Sequence, residues 1–268
     1  MGQTGAMGSR PAVAAAAAAG ALVVGHALPS VAVLGTFVPR GPTSVGIGGS
    51  SWRWRWPGPD AGGALALTFD DGPDPASTPR TLDVLDELSL RATFFVVGSA
   101  VERHPAIVAD IVRRGHGIGV HGHHHRHHLL RTPAWVCSDT AVAVASVGSV
   151  TGGKPRWYRP PFGQLSTATV LAAGRHGLQV VLWSRWGREF SSTSADPVVR
   201  RLLPGVVPGA VLLLHDSDRY ARPGTAAITR QVLTPLAAAM RERRLSSVTL
   251  DELARLSSLA RLSSSEAA

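Results

Sequence analysis

The sequence predicts an α/β fold in which about seven parallel strands, joined by helices, close into a barrel. Short apolar runs rich in β-branched and aromatic residues alternate with segments whose apolar residues recur every three or four positions. That alternation is typical of a parallel sheet, and about seven strand and helix units are enough to close one into a barrel. The carboxyl ends of the strands should therefore meet at one mouth.

Seven apolar runs carry the strand pattern: ALALTF (64–69), ATFFVV (92–97), GIGV (117–120), RWYRP (156–160), VVLW (180–183), AVLLL (210–214) and SVTL (247–250). Between the first three runs, TLDVLDEL (81–88) has apolar residues at helical spacing, and HPAIVADIVRRG (104–115) ends in basic residues and a glycine, as helices commonly do. Asp196 followed by Pro197 predicts a further helix with Asp196 as its N-cap.

The composition limits the class of protein. A chain of 268 residues that is 44% hydrophobic can bury a large core. Its net charge of +9 favours anionic partners, but the arginines are scattered and form no nucleic-acid recognition module, so nucleic-acid binding is not predicted. The single cysteine, Cys137, excludes an internal disulfide and a thiolate zinc cluster. A serine hydrolase is disfavoured because the chain has no G-x-S-x-G motif.

Four segments are predicted along the chain. Residues 1–40 carry Arg10 and then a long apolar run, the order of a signal peptide or membrane anchor; a cleaved signal, a single span and a buried helix all remain open. Residues 41–63 form a linker rich in Gly, Pro and Ser, whose WRWRW motif suits a membrane interface or an edge strand. Residues 64–256 form the main domain, and residues 257–268 a flexible tail.

Four of the predicted strands lead directly into polar, chemically active residues. ALALTF runs into Asp70 and Asp71, GIGV into a histidine tract, RWY into Arg159, and AVLLL into His215. Two adjacent carboxylates after a buried strand cost free energy unless cations compensate them, and a divalent metal together with an arginine would do so. We expect Arg159 to pair with Asp70. The alternatives are an ordinary capped turn at DDGP and a surface arginine.

The histidine tract, GIGVHGHHHRHHLL at residues 117–130, holds six of the eleven histidines. Catalytic zinc takes about three protein ligands from His, Asp or Glu. His121 lies at the end of the strand, and the spacing to His125 would bring both rings to one side of a helical turn. With Asp71 they would form an Asp-His-His set, whereas the other four histidines are predicted to be solvated rim residues. The alternative is a loose chelating tract with no defined site.

The motifs TFDDGP, GVHGHHH, RPPFG and LLLHD, in this order, resemble those of the polysaccharide deacetylase family, also called the NodB homology domain or carbohydrate esterase family 4. The resemblance spans residues 64–256. It implies a distorted, NodB-like (β/α) barrel that carries a divalent metal, commonly zinc, and hydrolyses N-acetyl or O-acetyl groups on sugar polymers.

The resemblance also assigns roles to residues of this chain. It makes Asp70 the general base and His215 the general acid. It makes Asp71, His121 and His125 the metal ligands.

The resemblance further implies three residues around the reacting acetyl group. The backbone N–H of Phe162 would stabilise the oxyanion. Trp183 and Leu213 would form apolar walls for the acetyl methyl group, although either could equally be plain core.

Three positions depart from the family pattern. Gly122 stands where Ser or Thr is usual, so a hydroxyl group that would brace the loop is missing. Phe162 replaces the usual Tyr. Glu189 and Phe190 replace the usual Asp-Trp pair, which leaves Glu189 as the candidate carboxylate for tuning the acid histidine.

These features predict a metal-dependent enzyme that removes acetyl groups, most readily N-acetyl, from a cell-envelope glycan such as peptidoglycan or a chitin-like polymer. Zinc fits the ligand types, and Co²⁺, Ni²⁺ and Mn²⁺ suit similar sites. We expect a monomer outside the cytoplasm, either secreted or anchored to the membrane through its N-terminal segment. The alternative is a catalytically weakened relative that binds metal or glycan in the same pocket.

Overall fold

The structure is a computed structural model that describes residues 62–266, with side chains described through residue 258. The predicted signal or anchor (1–40) lies outside the described residues, as does the predicted linker (41–63), WRWRW included, except for its last two residues. The predictions for these segments therefore stay predictions.

The described part of the chain contains eight short strands in one sheet, and every strand pairing is parallel. The strands are β1 (Ala64–Asp70), β2 (Ala92–Val96), β3 (Gly117–Val120), β4 (Trp157–Tyr158), β5 (Gln179–Val180), β6 (Arg185–Trp186), β7 (Val211–His215) and β8 (Ser246–Ser247). Seven of them lie in the order β5-β4-β3-β2-β1-β7-β6, and β8 pairs with the start of β1.

Helices connect the strands and cover the sheet. They are α1 (Thr78–Glu87), α2 (Gly98–Arg103), α3 (Pro105–Arg113), α4 (Pro133–Thr151), α5 (Thr167–Arg175), α6 (Ala195–Leu202), α7 (Thr225–Glu242) and α8 (Leu250–Glu266). The outcome is a curled, incomplete (β/α) barrel, because the outermost strands β5 and β6 are not paired with each other within the described sheet. The predicted barrel class is confirmed.

The two faces of the sheet have different packing because successive residues of a strand point to opposite sides. Leu65, Leu67 and Phe69 of β1 belong to the large apolar core shared with the helices. Ala64 and Ala66 instead face the inside of the curl.

Helix α8 fills the amino-terminal end of the curled sheet. Leu250 and Leu253 pack in the same inner cluster as the first residues of β1, and the Leu250 N–H donates to the Thr93 hydroxyl at 2.9 Å. The polar side chains that face the inside of the curl are therefore grouped at its other end, where the strands terminate.

Strand boundaries differ from the prediction at β5 and at β8. The run 247–250 was predicted as a strand, but β8 covers Ser246–Ser247 and helix α8 begins at Leu250. The VVLW segment was predicted as a strand over 180–183, but β5 ends at Val180, because the next two carbonyl groups, of Val181 and Leu182, accept hydrogen bonds from the buried Arg159 guanidinium at 3.2 and 2.9 Å. The two-residue strand β6 that follows was not predicted, since so short a strand has no visible periodicity.

One prediction about a helix end needs correction. Helix α6 begins at Ala195 with Ser194 as its N-cap, so Asp196 lies within the first turn, where its charge interacts favourably with the helix dipole. Helix α8 continues to Glu266 and includes most of the segment 257–268, whose flexibility stays a prediction.

Helix α4 is the one described helix long and apolar enough, by length and composition alone, to cross a membrane. It packs against α2 and α5. Its buried face includes Val136, Ala143 and the charged Asp139, which contacts the histidine tract. These contacts are those of a helix in the core of the domain.

Candidate active site

The strand ends bring the sequence-predicted polar residues to one mouth. Asp70 is the last residue of β1 and is aligned with His215, the last residue of β7. His121 and Arg159 directly follow β3 and β4. Because these residues continue the alternation of their strands, they point into the curl above its apolar filling.

Arg159 is fully buried and holds Asp70 in place. Its guanidinium donates to Asp70 Oδ1 at 2.7 Å and to the Thr68 hydroxyl at 2.9 Å, in addition to the two carbonyl groups described above. Its flat face lies 4.0 Å from the centre of the Phe95 ring. The predicted pair between Asp70 and Arg159 is therefore present, and the alternative of a surface arginine is wrong.

Asp71 faces the histidine tract, because its φ angle of 80° turns the chain sharply at the strand end. Asp70 shares one neighbour with it, since Asp70 Oδ2 lies 3.6 Å from His121 Nε2. Its Oδ1 atom lies 3.0 Å from His125 Nε2 and 3.6 Å from His121 Nε2. One ligand atom from each of these three residues lies within 4.8 Å of the others. This is the Asp-His-His set that the sequence predicted.

The three residues fit a divalent metal. Asp71 Oδ1 is buried and, despite its proximity to the two rings, has no partner in hydrogen-bond geometry, as expected for an atom that directs its electron pair to a cation. His121 Nδ1 lies 2.7 Å from the Arg159 carbonyl oxygen, which fixes the ring and leaves Nε2 available to a metal.

The ionisation of the set also suits a metal. Burial alone would raise the pKa of Asp71, but its contacts with the rings of His121 and His125 outweigh burial and hold the pKa well below its ordinary value. Burial lowers the pKa of His125. Both groups are therefore deprotonated near neutral pH, which is the form that binds metal.

The histidine tract forms a loop and not the helical turn from which the pairing of His121 and His125 was argued. The two rings still converge, with centroids 5.1 Å apart, because His125 adopts a left-handed conformation with a φ of 51°. Its ring is sandwiched between Tyr220, stacked at 3.9 Å, and Phe162, tilted at 4.6 Å. Tyr220 was not singled out in the sequence, since a tyrosine in a loop carries no pattern.

Asp139 of α4 anchors the loop and was missed by sequence reasoning. Its carboxylate accepts the backbone N–H groups of His123 and His124 at 2.8 and 3.1 Å. On the other side of the loop, the first N–H groups of α2, from Gly98 and Ser99, donate to loop carbonyl oxygens at 2.9 and 3.1 Å. The one available sequence signal was an acidic residue on the buried face of an otherwise apolar helix.

The structure explains why position 122 is a glycine, which the sequence did not reveal. Its φ of 72° lies in the left-handed region, where a side chain is strained, and an added Cβ would lie 3.2 Å from both Asp139 Oδ2 and Pro161 Cγ. The Asp139 carboxylate, which accepts two N–H groups of the loop, therefore braces it without a hydroxyl group at position 122.

The prediction that the four other histidines of the tract are solvated rim residues is wrong for two of them. His123 and His128 are buried, because α4 and α5 cover this side of the loop, and His128 Nδ1 lies 2.9 Å from the Thr169 hydroxyl. His124 is exposed, and His127 is half-buried with its ring stacked 3.6 Å from that of Phe162.

His215 faces the mouth from β7 and is paired with Glu189. The His215 Nδ1 atom lies 2.7 Å from Glu189 Oε1, and Glu189 is completely buried. Burial alone would lower the pKa of His215, but the charge of Glu189 and its hydrogen bond, together with the charges of Asp71 and Asp70, raise it to about 10. The glutamate side chain, which is longer than that of aspartate, therefore reaches the histidine. The other ring nitrogen, Nε2, is left to face the mouth.

The residues predicted to contact the acetyl group lie around this mouth. Phe162 is half-exposed with a φ of 60°, and Trp183 is half-buried with its ring against Gly163, where any side chain would collide with it. Leu213 is buried two residues before His215 on the same face of β7. Phe190 is stacked at 5.2 Å on Trp186, and its ring centre lies 6.4 Å from that of His215.

Comparison with known proteins places these features in a family. A model of polysaccharide deacetylases matches residues 58–181. The peptidoglycan-N-acetylglucosamine deacetylase PgdA of Listeria monocytogenes is 33% identical over 189 residues, which are 70% of this chain and 38% of that protein. A chitooligosaccharide deacetylase of a Bradyrhizobium strain is 35% identical over 154 residues, 57% of this chain and 70% of the relative.

A solved structure agrees with the sequence comparisons. The family 4 carbohydrate esterase from Streptomyces lividans, in complex with acetate, aligns with a TM-score of 0.63 and 26% identity over 69% of this chain and 92% of that one. The present chain spans about two fifths of the length of the Listeria relative. With its motifs gathered at one barrel mouth and with these similarities, the chain belongs to the polysaccharide deacetylase family.

Proposed function

We propose that the protein is a metal-dependent hydrolase that removes acetyl groups, most readily from N-acetylated sugars, from a cell-envelope glycan such as peptidoglycan or a chitin-like polymer. The main support for this proposal is that the mouth contains three groups of residues: a potential metal site, a carboxylate paired with an arginine, and a histidine paired with a glutamate. Asp71, His121 and His125 form a potential metal site, while Asp70 and His215 face the same space, each oriented by a buried partner of opposite charge.

The bound metal, which we propose to be Zn²⁺ on ligand type, would polarise the acetyl carbonyl and lower the pKa of a water molecule. Asp70 then accepts the proton of the attacking water, and its pairing with Arg159 keeps it aimed into the mouth. The Phe162 N–H would donate to the oxygen that gains charge.

His215 completes the reaction on the leaving-group side. An amine cannot leave as an anion near neutral pH, so a proton must be supplied as the carbon–nitrogen bond breaks. His215 carries that proton, because Glu189 stabilises its charged form. Trp183 and Leu213 would enclose the acetyl methyl group.

We also propose that the enzyme acts outside the cytoplasm, secreted or held to the membrane by residues 1–40. Support comes from the apolar run in that segment and from the peptidoglycan deacetylase name of the Listeria relative. Peptidoglycan lies outside the cell membrane, so an enzyme acting on it must be exported.

Acetate release tests the proposal. Purified full-length protein, loaded with Zn²⁺, should release acetate from chitooligosaccharides or peptidoglycan, lose this activity with a chelator and regain it with added metal. The alternative function, a weakened relative that only binds metal or glycan, predicts metal binding without release. Absence of metal-dependent release from every acetylated glycan tried would contradict the proposal.

A further inference from the structure

A cavity of about 610 Å³ opens beside the predicted metal site. His125 and Phe162 line it on one side, so the cavity is continuous with the mouth where the acetyl group would react. Tyr220 also lines it, with its ring stacked on His125. A ligand in this cavity would therefore touch the same residues as the substrate of the proposed reaction.

Three arginines line the cavity and come from separate parts of the chain. Arg103 ends α2, Arg126 belongs to the histidine tract, and Arg219 follows β7. Only the folding of the chain brings them together. The Arg219 guanidinium lies 5.7 Å from the centre of the Tyr220 ring. We call these three residues the arginine pocket.

The arginine pocket differs from other arginine sites of the domain. Arg114 contacts Asp83, Asp86 and Asp110, and Arg159 contacts Asp70. Within residues 62–258, the three arginines of the pocket form no ion pair with a carboxylate. Grouping like charges without a counter-charge costs free energy, which a bound anion would offset.

We propose that the arginine pocket binds a carboxylate carried by the glycan, on a sugar adjoining the one that is deacetylated. This inference rests on the proposed function, because the ligand is taken to be the same glycan. Guanidinium groups match the planar geometry of carboxylates with paired hydrogen bonds, and Tyr220 and Phe162 add apolar surface to the lining of the same cavity. A neutral glycan would leave the three arginines without a counter-charge.

Two kinds of glycan carry such a carboxylate, and the experiment separates them. In one the carboxylate belongs to a uronic acid, as in hyaluronan oligosaccharides. In the other it belongs to a lactyl ether, as in a tetrasaccharide of alternating N-acetylglucosamine and N-acetylmuramic acid. Chitohexaose is the neutral reference, because it offers the acetyl groups without the charge.

Binding is measured by calorimetry with full-length, metal-loaded protein in an Asp70→Asn background, so that the ligands are not consumed. The double variant Arg126→Gln/Arg219→Gln removes two charges from the pocket. The matched control, Arg241→Gln/Arg244→Gln, removes two charges from exposed positions at the end of α7 and just before β8, at the opposite end of the sheet.

We expect at least one acidic oligosaccharide to bind on the order of tenfold more tightly than chitohexaose at low salt, and the preference to decline as salt rises. The pocket variant should lose this preference and the control variant should keep it. A gain for one acidic ligand alone identifies the source of the carboxylate, and a gain for both indicates that either is accepted.

Equal binding of neutral and acidic oligosaccharides would overturn the proposal, as would an equal loss in the pocket and control variants. These outcomes can be told apart from a failure of the proposed function. If the protein prefers the acidic ligand but releases no acetate, the proposed role of the arginine pocket is supported and the proposed enzymatic function is contradicted. If the protein releases acetate but shows no preference for acidic oligosaccharides, the proposed enzymatic function is supported and the proposed role of the arginine pocket is contradicted.

Discussion

Asp70 and Asp71 are neighbours in the chain, yet they belong to two halves of the mouth with different surroundings. Asp70 is held by Arg159, which is itself fully buried and hydrogen bonded to a hydroxyl and two carbonyl groups. Asp71 has two imidazoles beside it and an oxygen, Oδ1, with no hydrogen-bond partner. Within the protein, the Asp70 carboxylate has a cationic partner in Arg159, whereas Asp71 Oδ1 remains available to a metal cation.

The difference shows how one sequence motif can supply two functions. A strand would point two successive side chains to opposite faces, but the left-handed conformation of Asp71 turns its carboxylate toward the histidine loop. The Asp70 half is packed within the barrel, with both Asp70 and Arg159 buried. The Asp71 half depends on a loop, and therefore on the residues that hold that loop.

The largest expected effect is on the Asp71 half. His121→Ala removes a proposed ligand whose ring is fixed by the Arg159 carbonyl group, so the protein should lose the proposed metal, about one per chain in the wild type, together with acetate release. The matched control is His127→Ala, in the same tract but outside the set. Elemental analysis of both variants gives the answer. A gradual loss of metal shared by the two variants would indicate a loose chelating tract.

A substitution in the Asp70 half should lower the stability of the protein. Arg159→Met leaves Asp70 buried without its partner, so the free energy of unfolding should fall by about 3–5 kcal/mol, measured by denaturant unfolding. The control Arg156→Met, three residues earlier, removes an exposed ion pair with Asp251 and should cost at most about 1 kcal/mol. Adding Asp70→Asn to Arg159→Met should recover part of the loss. Equal effects of the two arginine variants would show that the buried pair has no special role.

The acid side of the mouth should respond in the pH profile. As the proposed general acid, His215 must be protonated, and its pKa is raised to about 10, so the rate should decline only as the pH rises through that region. Glu189→Gln removes the charge that stabilises the imidazolium, so the alkaline limb of kcat/KM should move to lower pH by about 1–2 units. Glu242→Gln, at an exposed position, should leave the limb in place. An unchanged limb for Glu189→Gln would exclude this coupling.

The smallest expected effect concerns the loop of the Asp71 half. Asp139→Asn weakens the acceptor for two backbone N–H groups of the histidine tract, and loss of such support commonly weakens metal affinity by about tenfold or more. Competition with a chelator of known affinity measures this change, again with Glu242→Gln as the control. Unaltered metal affinity would mean that the first turn of α2 holds the loop by itself.

Much of the site could be predicted because its residues directly follow strands. Asp70, His121, Arg159 and His215 lie at or next to the ends of β1, β3, β4 and β7, and a parallel sheet gathers such ends at one edge. Their position was therefore determined by local sequence together with the fold class.

The remaining features depend on contacts between segments distant in the chain. Asp139 and Tyr220 reach the histidine tract from a helix and a later loop, and neither position follows from periodicity. His128 is buried through its contact with Thr169 of α5. The early end of β5 has the same origin, because Arg159 takes the carbonyl groups that would otherwise continue the strand.

The most direct test measures bound metal and acetate release together in the wild type, Asp70→Asn and Asp71→Asn. We predict that Asp70→Asn keeps about one metal per chain while its acetate release falls by about 100- to 10,000-fold, and that Asp71→Asn loses the metal and the activity together. If Asp70→Asn lost the metal while Asp71→Asn kept it, or if Asp70→Asn released acetate at the wild-type rate, the division of the mouth into a proton-transfer half and a metal half would be contradicted.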